Sequence, residues 1–398
     1  MSVDPLHQHT PAREGPAAAD PPEPLCGHRV GRYRVGPVVA AGAMSTLYRA
    51  HDVRLDRAVA LKVISPLLAG DEEFRARFIG EARALSALEH PHVVPLYDHD
   101  ELDGHLFLAM RWIDGPSLAD LLTRGPLTPG RALRLLEQTA AALDAVHHRG
   151  LVHLDVKPGN VLLAEPAPGD SGRHVYLADF GLTRRGHAVA ATTGGDFLGS
   201  PAYAAPEHLR GQVVGPAADV YALGCLTYAA LAGAPPHGGA VGDVVAAHLD
   251  ARAPTPVSIA RSRLRPDSQA GLAVGSAVDR ELCRALAPDP AHRHPSAGVF
   301  AAAVRAAAVQ DAADRDAAAR DATSVAGARG PRPSPRPGPS SVHAVALARR
   351  VAPPTAPGPA DAFTRPPIAR RAHLTVSITV VAALAVLVAL IALVLFVS

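Results

Sequence analysis

The rhythm of apolar and polar positions changes twice along this chain. Residues 1–31 show no apolar periodicity and are rich in Pro, Ala and Gly. Such a composition buries too little surface to fold, so a disordered tail is expected. From Tyr33 short β-type runs follow one another: Tyr33–Ala41, Leu47–Asp52, Ala58–Ile64, Val93–Asp98 and His105–Trp112. One helical stretch, Glu72–Glu89, interrupts them. After Ser117 the period becomes that of helices, most clearly over Arg131–Arg149. A strand-rich part before a helix-rich part predicts an α+β fold of two lobes: a small β-rich N-lobe and a larger helical C-lobe with a cleft between them. The expected divisions are a tail at 1–31, a two-lobed domain at 32–302, an Ala-rich helical extension at 303–326 and a Pro/Arg-rich linker at 327–372.

The last apolar run has a different character. Leu374–Val397 contains no charge, no Pro and no Gly over 24 residues. At about 1.5 Å per residue this is roughly 36 Å of helix. A hydrocarbon core is about 30 Å thick, so a tilted membrane-spanning helix is expected at 374–397. Arg349, Arg350, Arg365, Arg370 and Arg371 precede the run. Their charge predicts that the two-lobed part lies in the cytoplasm, with the span as a single-pass C-terminal tail anchor in the cell membrane. The start of the chain lacks the basic-then-apolar signature of a secretory signal.

Composition narrows the chemistry. Of 398 residues, Lys and Arg together number 39 and Asp and Glu 37, for a net charge of +2. That balance argues against a nucleic-acid partner. Cys26, Cys225 and Cys283 are too far apart for a disulfide scaffold or a Cys-based zinc site. Only Lys62 and Lys157 among the basic residues are lysine, and Asn160 is the single asparagine. A chain that uses Arg almost everywhere keeps Lys where a compact point charge is required, as at a tight phosphate site. The pairs His7/His9, His90/His92, His147/His148 and His292/His294 match no known zinc spacing.

The rare residues fall inside ordered motifs. His153-Leu154-Asp155-Val156-Lys157-Pro158-Gly159-Asn160 holds two of them, and Asp179-Phe180-Gly181 follows. Upstream, Lys62 ends Val59-Ala60-Leu61-Lys62, and Glu81 lies on the next helix. Downstream come Ala205-Pro206-Glu207, Asp219-Val220-Tyr221-Ala222-Leu223-Gly224 and Asp289-Pro290-Ala291-His292-Arg293. Together, and in this order, these resemble the protein-kinase signature set over Arg32–Phe300. The likeness is greatest to bacterial, actinobacterial-type eukaryotic-like Ser/Thr kinases, which are commonly tethered by one transmembrane helix.

The resemblance implies Mg²⁺-dependent transfer of the ATP γ-phosphate to Ser or Thr hydroxyls of proteins, with Mn²⁺ as an alternative ion. Loose phosphoryl transfer needs positioning and charge neutralisation. By resemblance, Lys62 holds the α- and β-phosphates and is held by Glu81. Asp155 takes the hydroxyl proton, and Lys157 neutralises the transferring phosphate. Asn160 and Asp179 offer oxygens to the metal. Val39, Ala40 and Gly42 belong to the loop over the phosphates. Leu47, Ala60, Met110 and Leu162 enclose the adenine, with Met110 as gatekeeper and Arg111–Ile113 as hinge. His153 and Phe180 join Leu85 and Leu96 in an apolar column, Asp219 fixes the catalytic loop, and Glu207 pairs with Arg293. Ser200 and Lys157 fit Ser/Thr rather than tyrosine specificity.

Three positions depart from the pattern. Ala40 and Ser45 stand where the family expects Gly, which implies a stiffer phosphate loop and weaker ATP binding. Leu154 replaces the Arg that usually pairs with a phosphorylated activation loop. Thr192 and Thr193 are candidate phosphosites with their control over activity in question, and Arg184 and Arg185 are candidate substitute partners. Autophosphorylation in trans within a homodimer is a further expectation. The alternative reading is a nucleotide-binding pseudokinase acting as a membrane scaffold, but a scaffold has no need to retain Lys62, Glu81, Asp155, Asn160 and Asp179 together. A small-molecule kinase would not be expected to carry Ala205-Pro206-Glu207. The Pro331–Pro339 run reads as a spacer in preference to a docking motif.

Overall fold

A computed structural model describes residues 25–42, 44–165, 173–180, 201–262 and 272–328. The chain divides into two units, Met1–Pro331 and Arg332–Ser398, and the described residues all belong to the first. Ser200, Thr192, Thr193, Arg184, Arg185 and the 374–397 segment lie outside the described residues, as do the tail 1–24 and nearly all of the linker. Among the described residues no helix is long and apolar enough to cross a membrane.

The N-terminal strands are β1 (Arg29–Val30), β2 (Tyr33–Ala41), β3 (Ser45–Asp52) and β4 (Arg57–Ile64). Helices α1 (Pro66–Ala69) and α2 (Glu72–Ser86) follow, then β5 (Leu96–Leu102) and β6 (His105–Arg111). All six strands form one sheet in the order β1-β2-β3-β4-β6-β5, with antiparallel pairs. One face of this sheet buries Tyr33, Val35, Tyr48, Val59, Leu61, Val63 and Phe107. The alternation of buried and half-exposed residues along β4 follows from the two-residue period of a strand. Gly36 is required by close packing, because a Cβ there would lie 2.5 Å from the carbonyl oxygen of Arg49.

α2 starts where Asp71 accepts a hydrogen bond from the Phe74 amide, with Glu72 and Glu73 in its first turn. Phe74, Phe78, Ala82 and Leu85 form its buried face. The helix ends at Ser86 rather than at the expected Glu89, and the chain runs from there through His90 to Pro91 without regular structure. The expected strand Val93–Asp98 shifts to Leu96–Leu102. Pro95 has no amide hydrogen to give, although its carbonyl accepts from the Arg111 amide at 3.0 Å, so β5 begins after it. Val93 instead bridges Leu177, in the C-terminal part of the fold.

The C-terminal lobe is built by α3 (Leu118–Leu122), α4 (Pro129–His147), the hairpin β7 (Val161–Ala164) and β8 (His174–Leu177), α5 (Pro206–Leu209), α6 (Pro216–Ala232), α7 (Val241–Leu249), α8 (Val257–Ser262), α9 (Ser276–Ala285) and α10 (Ala297–Ala328). α6 is buried nearly all round, from Ala218 to Leu231, and acts as the core rod of the lobe. It stops at Gly233, which takes the left-handed conformation with φ +85°. The expected boundary at 302/303 falls inside α10, which runs unbroken from the domain into the Ala-rich extension. Two carboxylates from neighbouring helices seat this end of the lobe. Asp144 of α4 accepts from the amides of Ala297 (3.0 Å) and Gly298 (2.9 Å) at the start of α10. Asp311 of α10 accepts from Gly275 (2.7 Å), Ala277 (3.0 Å) and Val278 (3.0 Å) at the start of α9.

Candidate active site

The loop between α4 and β7 carries the polar residues picked out from composition. Leu154 sits in left-handed backbone with φ +60°. Asp219, fully buried in the first turn of α6, holds this loop from below. It accepts from the His153 amide (2.7 Å), the Leu154 amide (2.8 Å) and His147 Nε2 (2.8 Å). These are the backbone contacts around His153 expected of Asp219. The His147 contact goes beyond the backbone bonds expected of Asp219. Its position at the end of the helix that leads into the loop is the signal that could have found it.

His153 is fully buried, and burial is the largest influence on its pKa. It keeps the ring below its ordinary value against Asp219, Asp155 and Asp179. The neutral ring bridges two segments. Its Nδ1 accepts from the Asp155 amide (3.2 Å) and its Nε2 donates to the carbonyl of Ala178 (3.1 Å). Its face meets Phe180 with centroids 4.6 Å apart. Leu85, Val94, Leu96, Leu108, Met110, Asp179 and Phe180 line a small cavity behind the cleft, which joins the expected apolar column to Met110.

Asp155 is the hub of the polar contacts. Lys157 Nζ donates to Asp155 Oδ2 at 2.8 Å, and Asn160 Nδ2 donates to the same oxygen at 3.0 Å and to the Asp155 carbonyl at 2.7 Å. The Asn160 carbonyl accepts from the Ala178 amide at 2.9 Å, which fixes the catalytic loop against the strand leading to Asp179. Asp179 also lies in left-handed backbone, with φ +59°. Burial raises its pKa more than any other single influence. The Lys62 ammonium bonded to it, and the more distant Lys157, outweigh burial and hold the carboxyl below the usual carboxylate range.

No Lys62–Glu81 ion pair is found among the described residues. Lys62 Nζ pairs with Asp179 Oδ1 instead. The pair joins the buried end of β4 to the half-buried carboxylate of Asp179. Glu81 lies on α2 with a contact of its own.

The register of the sheet arranges the remaining cleft residues. Leu47 pairs with Lys62 across β3 and β4, and Ala60 pairs with Met110 across β4 and β6. Arg111 ends β6 and the buried Ile113 follows it. Leu162 lies on β7 and bridges to Ser117. Val39 and Ala40 are on the exposed end of β2, with Ala40 opposite Leu47. Gly42 donates its amide to the Ser45 carbonyl at 3.0 Å. It is not in left-handed backbone, so its glycine character is not demanded by conformation here.

Asn160 spends its amide hydrogens on Asp155, which leaves its side-chain oxygen, and Asp179 has a second carboxylate oxygen beyond the one facing Lys62. Two hard oxygen donors on adjoining segments fit a magnesium ion. Among the described residues no group of three or more His, Cys, Asp or Glu could hold a metal by itself. The expected pair Glu207–Arg293 is formed and bidentate, at 2.7 and 2.8 Å, in the buried base of the C-lobe.

Comparison with known proteins agrees with this arrangement. Residues 33–294 match the family described as protein kinase domain. The chain is 41% identical over 282 residues to serine/threonine-protein kinase PknD of Mycobacterium tuberculosis, covering 70% of this chain and 40% of that protein. It is 39% identical over 274 residues to serine/threonine-protein kinase PknJ of Mycobacterium bovis, covering 68% and 44%. It therefore spans less than half the length of these relatives. The crystal structure of the Mycobacterium tuberculosis PknI kinase domain is similar with a TM-score of 0.54 and 32% identity, covering 71% of this chain and 98% of that one.

Proposed function

From the premise that the chain belongs to the protein kinase family, we propose that it is a membrane-tethered Ser/Thr protein kinase that uses ATP and Mg²⁺. The observation that carries this reading is the convergence of Lys157 and Asn160 on Asp155 beside the Lys62–Asp179 pair. The names of the relatives support Ser/Thr specificity.

In the proposed reaction, Asp155 Oδ2 orients the Ser or Thr hydroxyl and receives its proton as the oxygen attacks the γ-phosphorus. The bond from that phosphorus to the β,γ-bridging oxygen breaks, and ADP leaves. Lys157, already on Asp155, lies where it can offset charge on the transferring group. Lys62 reaches the α- and β-phosphates by exchanging its contact with Asp179. Magnesium, held by Asn160 and Asp179, would neutralise phosphate charge. Leu47, Ala60, Met110 and Leu162 present an apolar slot for the adenine, with the backbone of Arg111–Ile113 at its edge. Ala40 and Ser45 in the phosphate loop predict a higher KM for ATP than Gly would give.

The uncharged run 374–397 and the five arginines before it support a single membrane span with the kinase domain on the cytoplasmic side. Tethering concentrates copies in two dimensions and favours autophosphorylation in trans. The test is incubation of the full chain in detergent with γ-labelled ATP, Mg²⁺ and peptides that differ only in carrying Ser, Thr or Tyr. Label on the Ser and Thr peptides and on the chain itself is expected. Label on the Tyr peptide alone, or on none, overturns the reading.

A further inference from the structure

The backbone of Arg111–Ile113 edges the adenine slot, and two side chains of this hinge are held by partners from opposite lobes. The Arg111 guanidinium lies 5.3 Å from the centre of the Tyr176 ring, and its Nη1 donates to the Tyr176 hydroxyl at 3.2 Å. Tyr176 is on β8, in the C-terminal lobe. The next hinge residue, Trp112, is covered by Arg49 of β3, with the guanidinium 5.0 Å from the ring centre. Trp112 Nε1 also donates to Asp114 at 2.8 Å, which fixes the indole. One cation–π contact therefore ties the hinge to each lobe.

The strand register places both anchors beside the slot. Arg49 pairs with Ala60 across β3 and β4, and Tyr176 pairs with Leu162 across β7 and β8. Ala60 and Leu162 are two walls of the adenine slot, so each anchor is the cross-strand partner of a wall. The anchor on β8 is itself seated. The Tyr176 and His174 rings lie with centroids 4.7 Å apart, and His174 Nε2 donates to the Pro91 carbonyl at 2.7 Å. On the hinge side, the Arg111 amide donates to the Pro95 carbonyl at 3.0 Å. Edge and walls of the slot are thus joined through side chains that lie outside it.

We propose that Arg49 and Tyr176 are positioning residues for the nucleotide: by holding Trp112 and Arg111 from the two lobes, they fix the hinge backbone at the distance from Ala60 and Leu162 that a purine base fills. This rests on the kinase reading above. A hinge already held in place does not have to be ordered by the incoming nucleotide, so the two ties act on nucleotide affinity. Peptide binding is left alone, because the contacts of Lys157 and Asn160 with Asp155 lie within the loop between α4 and β7.

The test titrates the full chain in detergent with ADP and Mg²⁺ by calorimetry, and measures initial rates with ATP and a peptide containing one Thr, varying each substrate in turn. Tyr176→Leu and Arg49→Met are each expected to raise the ADP dissociation constant and the ATP KM about threefold, with the peptide KM within about twofold of wild type. The two substitutions together are expected to raise them about tenfold, because the ties are separate. Arg111→Met added to Tyr176→Leu is expected to change nothing further, since it removes the same tie. Tyr176→Phe keeps a ring for the guanidinium and is expected to stay within about twofold of wild type. Should Tyr176→Leu fail to fold, Arg111→Met in its place supplies the same contrast. Nucleotide affinity within about 1.5-fold of wild type in the Tyr176→Leu/Arg49→Met variant overturns the inference. A further loss on adding Arg111→Met to Tyr176→Leu, or a peptide KM that rises in parallel, also overturns it. A wild-type chain that binds no ADP and labels no peptide overturns the kinase reading with it, whereas a wild type that binds ADP and variants that match it overturn this inference alone.

Discussion

At the scale of single residues, the site was unusually legible because the composition is so biased. Lys62, Lys157 and Asn160 stand out by rarity, and each proves to touch Asp155 or Asp179. What rarity could not show was pairing. Lys62 joins Asp179 in this structure, a pairing between residues 117 positions apart that no spacing reveals. His147 escaped notice because histidine is common in this chain, with 20 copies. The point-charge argument predicts that Lys62→Arg lowers the rate by about 100-fold or more although the charge is kept, because a planar fork does not fit the same phosphate oxygens. Steady-state rates of the two proteins at saturating ATP check this, and a loss under about tenfold contradicts it. Asp219→Ala removes the acceptor for two backbone amides and His147 in a fully buried position. A destabilisation of about 3 kcal/mol is expected from groups left unpaired, measurable by urea unfolding. A change under about 1 kcal/mol would show that the loop holds itself.

At the scale of elements, periodicity located the strands and helices within a few residues, and a proline accounts for one error. Pro95, which has no amide hydrogen to give, delays β5, a local effect that an apolar pattern averages over. Leu154 is the element-scale departure with most consequence. Its side chain packs with Ala205, Ala218, Tyr221 and Cys225, so apolar contact joins the catalytic loop to the segment after the turn Pro201–Tyr203. This packing holds the backbone of a leucine in left-handed space, a conformation that costs roughly 1–2 kcal/mol. Activation-loop phosphorylation is therefore predicted to be dispensable. The Thr192→Ala/Thr193→Ala double variant, produced without prior phosphorylation, is expected to keep its rate to within about tenfold. A fall of about 100-fold or more would show that another cation performs the pairing.

At the scale of the whole molecule, the two-lobed α+β architecture followed from the order of strand-rich and helix-rich parts, and α10 runs from the domain into the Ala-rich segment read as its helical extension. Asp144 and Asp311 fix that helix and α9 from residues distant in sequence, a tertiary effect invisible to local pattern. Burial also gives the fold a pH dependence. Burial, chiefly, and the neighbouring His237 push His248 down from 6.5 to about 4. Its contribution to stability is complete above pH 6.5 and is lost as pH falls toward 4. The loss is at most about 3 kcal/mol for this residue, and the melting temperature of His248→Gln is expected to fall less steeply than that of wild type over this window. Parallel curves would contradict it. Truncation after residue 330 is expected to release a soluble, active kinase from membranes, since the contacts around Asp155 and Asp179 lie within the first unit; fractionation checks this. The central claim, that Asp155 receives the proton of a Ser or Thr hydroxyl during phosphate transfer, is tested most directly by comparing the full chain with Asp155→Asn in single-turnover transfer from γ-labelled ATP. The account predicts phosphoserine and phosphothreonine from wild type and a rate at least about 1,000-fold lower from the variant, with nucleotide binding retained. Equal transfer by both proteins would contradict it.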